Sequence, residues 1–397
     1  MSIGRGTAVS TRGGGDDLNP VSGAGPIKEK PTVLVVDDEA GPRNALRFIL
    51  SPFFIIRTAE DARTAMQVLH EQPIDLITLD QNLPGCHGMD LLQKILHDRP
   101  DVEVIMITGN GTLESAMEST RYGAAGHLLK PFNIPELLTL MNLAWKKKQR
   151  LDFLRTCLRN SQGLWGTNQE SAHAWKDMRT RYFSIGELPL NGPAVSSDAI
   201  HLLPFLCDLL EATDRQLLSH CNRVNFYATL LATHLRLTQA EQKSLTLGAF
   251  LHDIGKIRIN KHVFSRNQTA HLGESESGNG HADLGAQIVL RLGLPAEVAQ
   301  IIACHHTRYD GSDSPRGLQG NGIPLLGRIV CIAQAFDSLT AGEGRRMPMA
   351  VDAALRDISR EAGTRFDPML TKIFTRAITV CKETLPALAL APVPSDL

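Results

Sequence analysis

The sequence predicts two folded units in tandem: a doubly wound α/β domain on a five-stranded parallel sheet, then an all-α domain. Three observations carry this. Apolar β-branched runs alternate with helical spacing between residues 31 and 146, whereas from 198 to about 380 only helical spacing persists. A stretch rich in Gly, Pro and Ser, SIGELPLNGPAVSS at 184–197, separates the two patterns.

In order, VLVVDD (33–38) is apolar and β-branched, as a strand buried on both faces must be. ALRFIL (45–50) has helical spacing, FIIRT (54–58) is short and β-rich, and ARTAMQVLH (62–70) is helical. DLITLD (75–80) is a second buried strand, followed by a Pro-Gly loop and the helical MDLLQKILH (89–97). VEVIMITG (102–109) is a strand, LESAMESTRYG (113–123) a helix ended by Gly, and HLLK (127–130) a short strand. The helix from Pro135 runs on past 145, with Leu140, Ala144, Leu151, Leu154 and Leu158 keeping one face apolar through KKKQR. So long a helix leaving a domain either pairs with a copy of itself, giving a homodimer through 135–160, or packs as a connector. The expected boundaries are a disordered Gly/Ser-rich tail at 1–30, the α/β domain at 31–146, a connector and linker at 147–197, the helical domain at 198–380 and a tail at 381–397.

Composition bounds the function. At ~150 residues per domain, 397 residues make two or three domains. Lys+Arg 41 against Asp+Glu 42 gives no general attraction to nucleic acid or anionic lipid, and no basic recognition helix follows the first unit, so DNA is not an expected partner. No apolar run approaches the ~18 residues of a membrane span, and the N-terminus lacks the apolar core of a secretory signal. Seven scattered cysteines without a C-x-x-C pair suggest neither a disulfide framework nor a thiolate zinc site. A reducing cytoplasm is the expected compartment.

In open parallel sheets ligands sit beyond the carboxyl ends of the strands. Asp37 and Asp38 end the first strand, Asp80 the third, Thr108 the fourth and Lys130 the fifth. Three carboxylates together repel unless a cation neutralises them, and oxygen ligands of this kind suit Mg²⁺. Here VLVVDD, LITLDQNLPG, MITG and LLKPF resemble the receiver domain of two-component response regulators over about 31–146. The resemblance implies Asp80 as phosphoacceptor, taking a phosphoryl group from a cognate sensor histidine kinase. It implies Asp37, Asp38, Asp80 and the carbonyl of Asn82 as Mg²⁺ ligands, and Lys130 and Thr108 as partners of the phosphoryl oxygens. Many receivers place a switching Tyr or Phe three before that lysine; here the position is His127.

The helical half carries His220, the pair His252-Asp253 followed by Ile-Gly-Lys256, His281 opening HADLGAQIV, and adjacent His305 and His306. Imidazole nitrogens with a carboxylate suit Fe, Mn or Zn. Two such ions bridged by one carboxylate make a phosphoester hydrolase. The motifs HCNRV, LHDIGKI, HADLGAQI, HHTRYDG, AFDSLT and FDP resemble the HD superfamily, within it the HD-GYP group, over about 205–375. That group hydrolyses the messenger cyclic di-GMP. The resemblance implies His220, His252, Asp253, His281, His305 and His306 as ligands of one or two ions. It implies Lys256 as a phosphate-binding lysine, and Asp310, Arg345 and Arg346 as substrate contacts.

The match departs at four places. HHExxDGxGYP reads HHTRYDGSDSP, with Thr307 for Glu, Asp313 for Gly and Ser314 for Tyr. The aspartate of ADxFDAL is Gln334, and Asp337 lies one helical turn away, too far to occupy the same point. RPYK becomes Glu343, Gly344, Arg345, Arg346, and Gln216 stands where some members carry a further Glu ligand. Loss of an anionic ligand predicts weaker binding of the second ion. The expectation is a phosphorylation-controlled hydrolase of cyclic di-GMP or a related dinucleotide. The alternative is an impaired domain serving as a nucleotide- or protein-binding module.

Overall fold

The structure, a computed structural model, describes residues 30–109, 119–120, 122–160, 162–165, 169–185, 202–258, 280–314, 317–342 and 347–384. The expected tail at 1–30 lies outside them except for its last residue, as do most of the helix expected at 113–123, most of the 184–197 linker, Arg345 and Arg346, and residues 385–397.

The first unit is a five-stranded parallel sheet of β1 (Thr32–Val36), β2 (Ile55–Ala59), β3 (Leu76–Asp80), β4 (Glu103–Thr108) and β5 (Gly126–Leu129), in the order β2-β1-β3-β4-β5. The three central strands are buried along their whole length, while β2 and β5 at the edges are partly exposed. Alternate residues enter opposite cores, as the two-residue period of a strand requires. Leu34, Val36, Ile77, Leu79, Val104 and Met106 pack with α2 (Ala62–Glu71) and α3 (Gly88–Asp98). Val33, Val35, Leu76, Ile105 and Ile107 pack with α1 (Ala40–Leu50) and the start of α4 (Ile134–Asn160). Parallel register brings the carboxyl ends of β1, β3 and β4 to one edge.

Helix α4 spans 27 residues, about 40 Å at 1.5 Å per residue. Leu137, Met141 and Ala144 belong to the sheet's core. Leu151, Leu154 and Leu158 are fully buried in a different core, with Trp175 and Tyr182 of α5 (Gln169–Ser184) and Phe205, Leu209 and Leu210 of α6 (Leu203–Thr213). The apolar face offered above to a second copy is thus covered, from Leu151 onward, by this chain's own helices. Arg150 Nε and the Tyr182 hydroxyl both donate to Asp208 Oδ2, each at 2.7 Å, and tie α4, α5 and α6 together. Residues 151–184 therefore pack as part of the helical half rather than as a free linker.

The helical half continues with α7 (Arg215–Ala232), α8 (Gln239–Leu251), α9 (Gly280–Arg291), α10 (Ala296–Cys304), α11 (Leu325–Ala341), α12 (Val351–Arg360) and α13 (Pro368–Thr384). Asp214 caps α7 by accepting from Gln216 N, and Thr238 with Glu241 forms a capping box on α8. Leu217 and Cys221 of α7 enter the core that holds Trp175. Val224, Tyr227 and Leu231 enter a second one with Phe336 of α11 and Phe374 of α13. Helix α7 is thus clamped between two cores, which fixes where its His220 points.

The two halves meet through buried charge. Glu103, at the start of β4, has no exposed surface. Arg215, the first residue of α7, pairs with its carboxylate and donates to the carbonyls of Gly123 and Val102, both at 3.1 Å. Lys147 of α4 lies 3.4 Å from Glu103 Oε2 and 2.7 Å from Glu211 Oε1. Lys148 Nζ donates to Asp101 O at 2.7 Å.

Candidate functional site

At the sheet edge, Lys130 Nζ donates to Asp37 Oδ2 at 2.8 Å and to Asp80 Oδ1 at 2.9 Å. Burial opposes the charge on Lys130, but these two carboxylates outweigh it and raise its pKa. Asn82 N donates to Asp80 Oδ2 at 3.1 Å and Glu39 N to Asp37 Oδ1 at 3.0 Å, which fixes both carboxylates. Thr108 is buried at the end of β4, its carbonyl accepting from Lys130 N at 2.7 Å. Asp38 is exposed. The structure therefore brings Asp37, Asp80 and Lys130 into contact and places Asp38, Asn82 and Thr108 around them. His127, on β5, lies with Nδ1 3.3 Å from Ser119 Oγ and with its pKa lowered by burial.

The second site gathers three helix ends and one helix face. His220 comes from the middle of α7, and His252 and Asp253 follow α8 directly. His281 lies in the first turn of α9, and His305 and His306 follow α10. The sequence motif HDIGK has a steric reason. After Asp253 the chain makes a 3-10 turn (Ile254–Arg258) that presses on the start of α9. A Cβ on Gly255 would lie 1.9 Å from His281 O and 2.8 Å from Gly285 N, so only glycine lets the two segments, and their ligands, come together.

Asp253, with 1% of its surface exposed, is the hub. Its Oδ2 lies 3.4 Å from both His220 Nε2 and His252 Nε2 and 2.7 Å from Lys256 Nζ. Its Oδ1 lies 3.2 Å from His281 Nε2 and 3.7 Å from His305 Nε2. His306 Nε2 is 3.0 Å from His281 Nε2, and His220 Nε2 is 3.1 Å from His252 Nε2. Two sets of donor atoms, His220/His252/Asp253 and Asp253/His281/His305/His306, each lie within 4.8 Å of one another and share Asp253. All six predicted ligands meet at one centre, and Lys256 joins them.

The outward nitrogens say which tautomers are present. His252 Nδ1 is 2.8 Å from Ala249 O and His305 Nδ1 is 2.5 Å from Ile302 O. A carbonyl only accepts, so each Nδ1 carries a proton and each Nε2, the atom a metal would take, faces inward. Burial holds His305 well below its ordinary pKa and brings His306 down to about 3, helped by neighbouring imidazoles. Burial also disfavours the charged forms of Asp253 and His220, but each stabilises the other. Asp253 stays well below the carboxylate range, and His220, bonded also to Asp337, is pushed up to about 9. Buried imidazoles whose Nε2 atoms converge on an ionised carboxylate are the donor set of a divalent transition ion, so these residues fit a metal centre.

Other predicted positions fall differently. Gln334 is buried on α11; its Nε2 donates to Ser338 Oγ at 3.4 Å, and its Oε1 has no hydrogen-bond partner among the described residues. The Asp310 carboxylate is exposed and turned on its own loop, accepting from Arg308 Nη2 and Ser312 N at 3.0 Å and from Ser312 Oγ at 2.7 Å. Arg308 N donates to Asp313 Oδ1 and Leu318 N to Ser314 Oγ, so the loop at 308–314 is bonded largely within its own neighbourhood. A substrate contact by Asp310 would have to break those bonds. Sequence reasoning set Asp337 aside for lying one turn from Gln334, yet that offset is what lets it reach His220 Nδ1 at 2.7 Å. A buried Asp within the apolar AQAFDSLT, and an Arg one turn after His220, were the available signals.

Comparison with known families matches residues 33–142 to the response regulator receiver domain and residues 204–370 to the HD domain. The chain joins a receiver domain to an HD domain. The HD match ends before α13 does, and it begins after the α4–α5 segment that packs against it. A probable cyclic di-GMP phosphodiesterase of Vibrio cholerae is 27% identical over 86% of this chain and 77% of its own length. The cyclic di-GMP phosphodiesterase response regulator RpfG of Xanthomonas campestris is 26% identical over 85% of each. A 3'3'-cGAMP-specific phosphodiesterase of Vibrio cholerae is 29% identical over 44% of this chain and 38% of its own. An HD domain implies a divalent metal, and the paired His/Asp clusters supply the ligands for it. No helix among the described residues is long and apolar enough to cross a membrane.

Proposed function

We propose that this protein is a cytoplasmic response regulator whose HD domain hydrolyses cyclic di-GMP or a related cyclic dinucleotide under control of its receiver. The receiver (31–146) would be phosphorylated by a cognate sensor histidine kinase. Asp80 attacks the phosphohistidine phosphorus, an O–P bond forms, and the imidazole leaves as the P–N bond breaks. Asp37, Asp38, Asp80 and the Asn82 carbonyl would hold Mg²⁺ for that step. Lys130, now shared between Asp37 and Asp80, is placed to pair with the new phosphoryl oxygens, and the Thr108 hydroxyl to bond one of them. His127 stands at the switching position, half-buried on the edge strand.

In the HD domain (198–380), His220, His252 and Asp253 would hold one ion, and Asp253, His281, His305 and His306 a second, of Fe, Mn or Zn. Such ions supply nucleophilic hydroxide at neutral pH and offset charge on phosphoryl oxygens. Asp253 orients both halves. Lys256, a third exposed and 2.7 Å from Asp253, presents an ammonium to a substrate phosphate. Arg345 and Arg346 would add positive charge for the second phosphate.

The single observation that carries this reading is the convergence of four imidazole Nε2 atoms on buried Asp253, with His306 Nε2 beside that of His281. A second reading, a nucleotide- or protein-binding module, is favoured by Gln334 in place of an anionic ligand and by the self-bonded loop at 308–314. The test is to quantify Fe, Mn and Zn in the purified protein and to assay cyclic di-GMP hydrolysis with and without acetyl phosphate. Metal with turnover that responds to acetyl phosphate, and a response lost in Asp80→Asn, supports the proposal. Less than one ion per chain and no linear product overturns it; full metal without turnover selects the binding module.

A further inference from the structure

We infer that Asp337 and Arg223 are positioning residues for His220, fixing which of its ring nitrogens faces one half of the metal centre. The inference rests on the reading of the cluster as a metal site and deepens it. Asp337 is 1% exposed, and both its oxygens are engaged. Oδ1 accepts from Arg223 Nε at 2.6 Å. Oδ2 accepts from Arg223 Nη2 at 2.9 Å and from His220 Nδ1 at 2.7 Å. The guanidinium fork of Arg223, a pure donor, holds both oxygens of Asp337 as acceptors.

Two consequences follow from this geometry. An accepting carboxylate behind Nδ1 puts a proton there and leaves Nε2, the atom a metal would take, facing Asp253 and His252. A carboxylate polarises the ring more than the backbone carbonyls that anchor His252 and His305, and so makes His220 the stronger donor. The Arg223 fork has the second effect. It fixes the plane of Asp337, so this carboxylate cannot swing inward to become a ligand itself. The anchor of the His220 ring thus comes from one helical turn beyond Gln334 on α11. Arg223 and His220 are themselves one turn apart on α7, so the arrangement is an H-x-x-R turn facing a Q-x-x-D turn.

The experiment uses the full chain. Zn²⁺ binding to the metal-free protein is titrated against a competing chelator for wild type, Asp337→Ala, Arg223→Gln and the control His305→Ala. The ligating nitrogen of His220 is read in the zinc-loaded protein by long-range ¹H–¹⁵N correlation. Expected are two binding steps in wild type, with His220 ligating through Nε2. The weaker step should loosen about 10–100-fold in Asp337→Ala, with His220 divided between Nε2 and Nδ1. Arg223→Gln keeps the carboxylate and should disturb the same step and no other, which guards against a variant that fails to fold. His305→Ala should weaken the tighter step instead. Wild type that binds no Zn²⁺ removes the metal reading as a whole. Two normal steps with an unchanged weaker one and Nε2-only ligation in both Asp337→Ala and Arg223→Gln overturn this inference alone.

Discussion

The junction between the two halves can be broken by one substitution, Arg215→Ala. The guanidinium serves three acceptors, the Glu103 carboxylate and the carbonyls of Gly123 and Val102, and its Nε lies 3.5 Å from Glu211 Oε1. Its removal leaves Glu103, wholly buried, with only Lys147 at 3.4 Å, and Lys147 is shared with Glu211. Removing one partner of a buried pair costs about 3–5 kcal/mol, because the remaining charge is uncompensated. At 1.4 kcal/mol per decade this shifts the docked equilibrium of the two domains by about 10²–10³-fold. His220 lies five residues further along the same helix, about 7.5 Å on, so an undocked receiver loses its hold on the metal centre. Donor and acceptor dyes placed on the two domains, with urea titration followed by transfer efficiency, measure the docking. The response of hydrolysis to acetyl phosphate measures the control. Separation at lower urea, with that response abolished and basal metal content kept, is the expected result. A midpoint and a response equal to wild type would refute the reasoning, and so would an equal effect from the paired replacement Arg215→Met with Glu103→Leu, which leaves no buried charge behind.

Three further outcomes are expected. Gly255→Ala, forced against His281 O, should strip the protein of most of its metal while far-UV circular dichroism stays near wild type; retained metal would contradict the steric argument. Gln334→Asp should tighten the weaker metal step and raise turnover, as elemental analysis and a product assay would show, and unchanged turnover at restored metal would favour the binding module. For pH, burial raises the Asp101 carboxyl but its bonds to Arg99 outweigh this and hold it below 3.8, so its stabilisation is present above 3.8 and lost as pH falls through the lowered value. Burial lowers Lys147 but Glu103 and Glu211 raise it above 10.5, so its stabilisation is full below 10.5 and lost as pH rises beyond. The same dye pair should therefore report constant docking between those limits, and loosening centred near neutral pH would count against the assignment.

Much of this was legible in the residues. A continuous apolar run such as VLVVDD signals a strand covered on both faces, and β1 is one. The His252-Asp253 pair and the His305-His306 pair announced a metal centre because so many ionisable groups in apolar helices need a shared partner. The face of α4 was equally plain as an apolar stripe. Its partner was not, because periodicity records that a face is covered and not what covers it; the cover proved to be α5 and α6. Asp310 looked available for substrate because a loop's own hydrogen bonds leave no mark on composition.

The sequence by itself determined the inventory: which strands and helices form, and which groups carry charge or lone pairs. Tertiary structure decided the pairings across long separations. His220 meets Asp337 over 117 residues, and Arg215 meets Glu103 over 112. Short-range spacing fixes a side chain's direction from its own axis, while contact between axes depends on how whole helices pack. That packing is set by the summed fit of cores such as the one around Trp175, to which no single motif testifies.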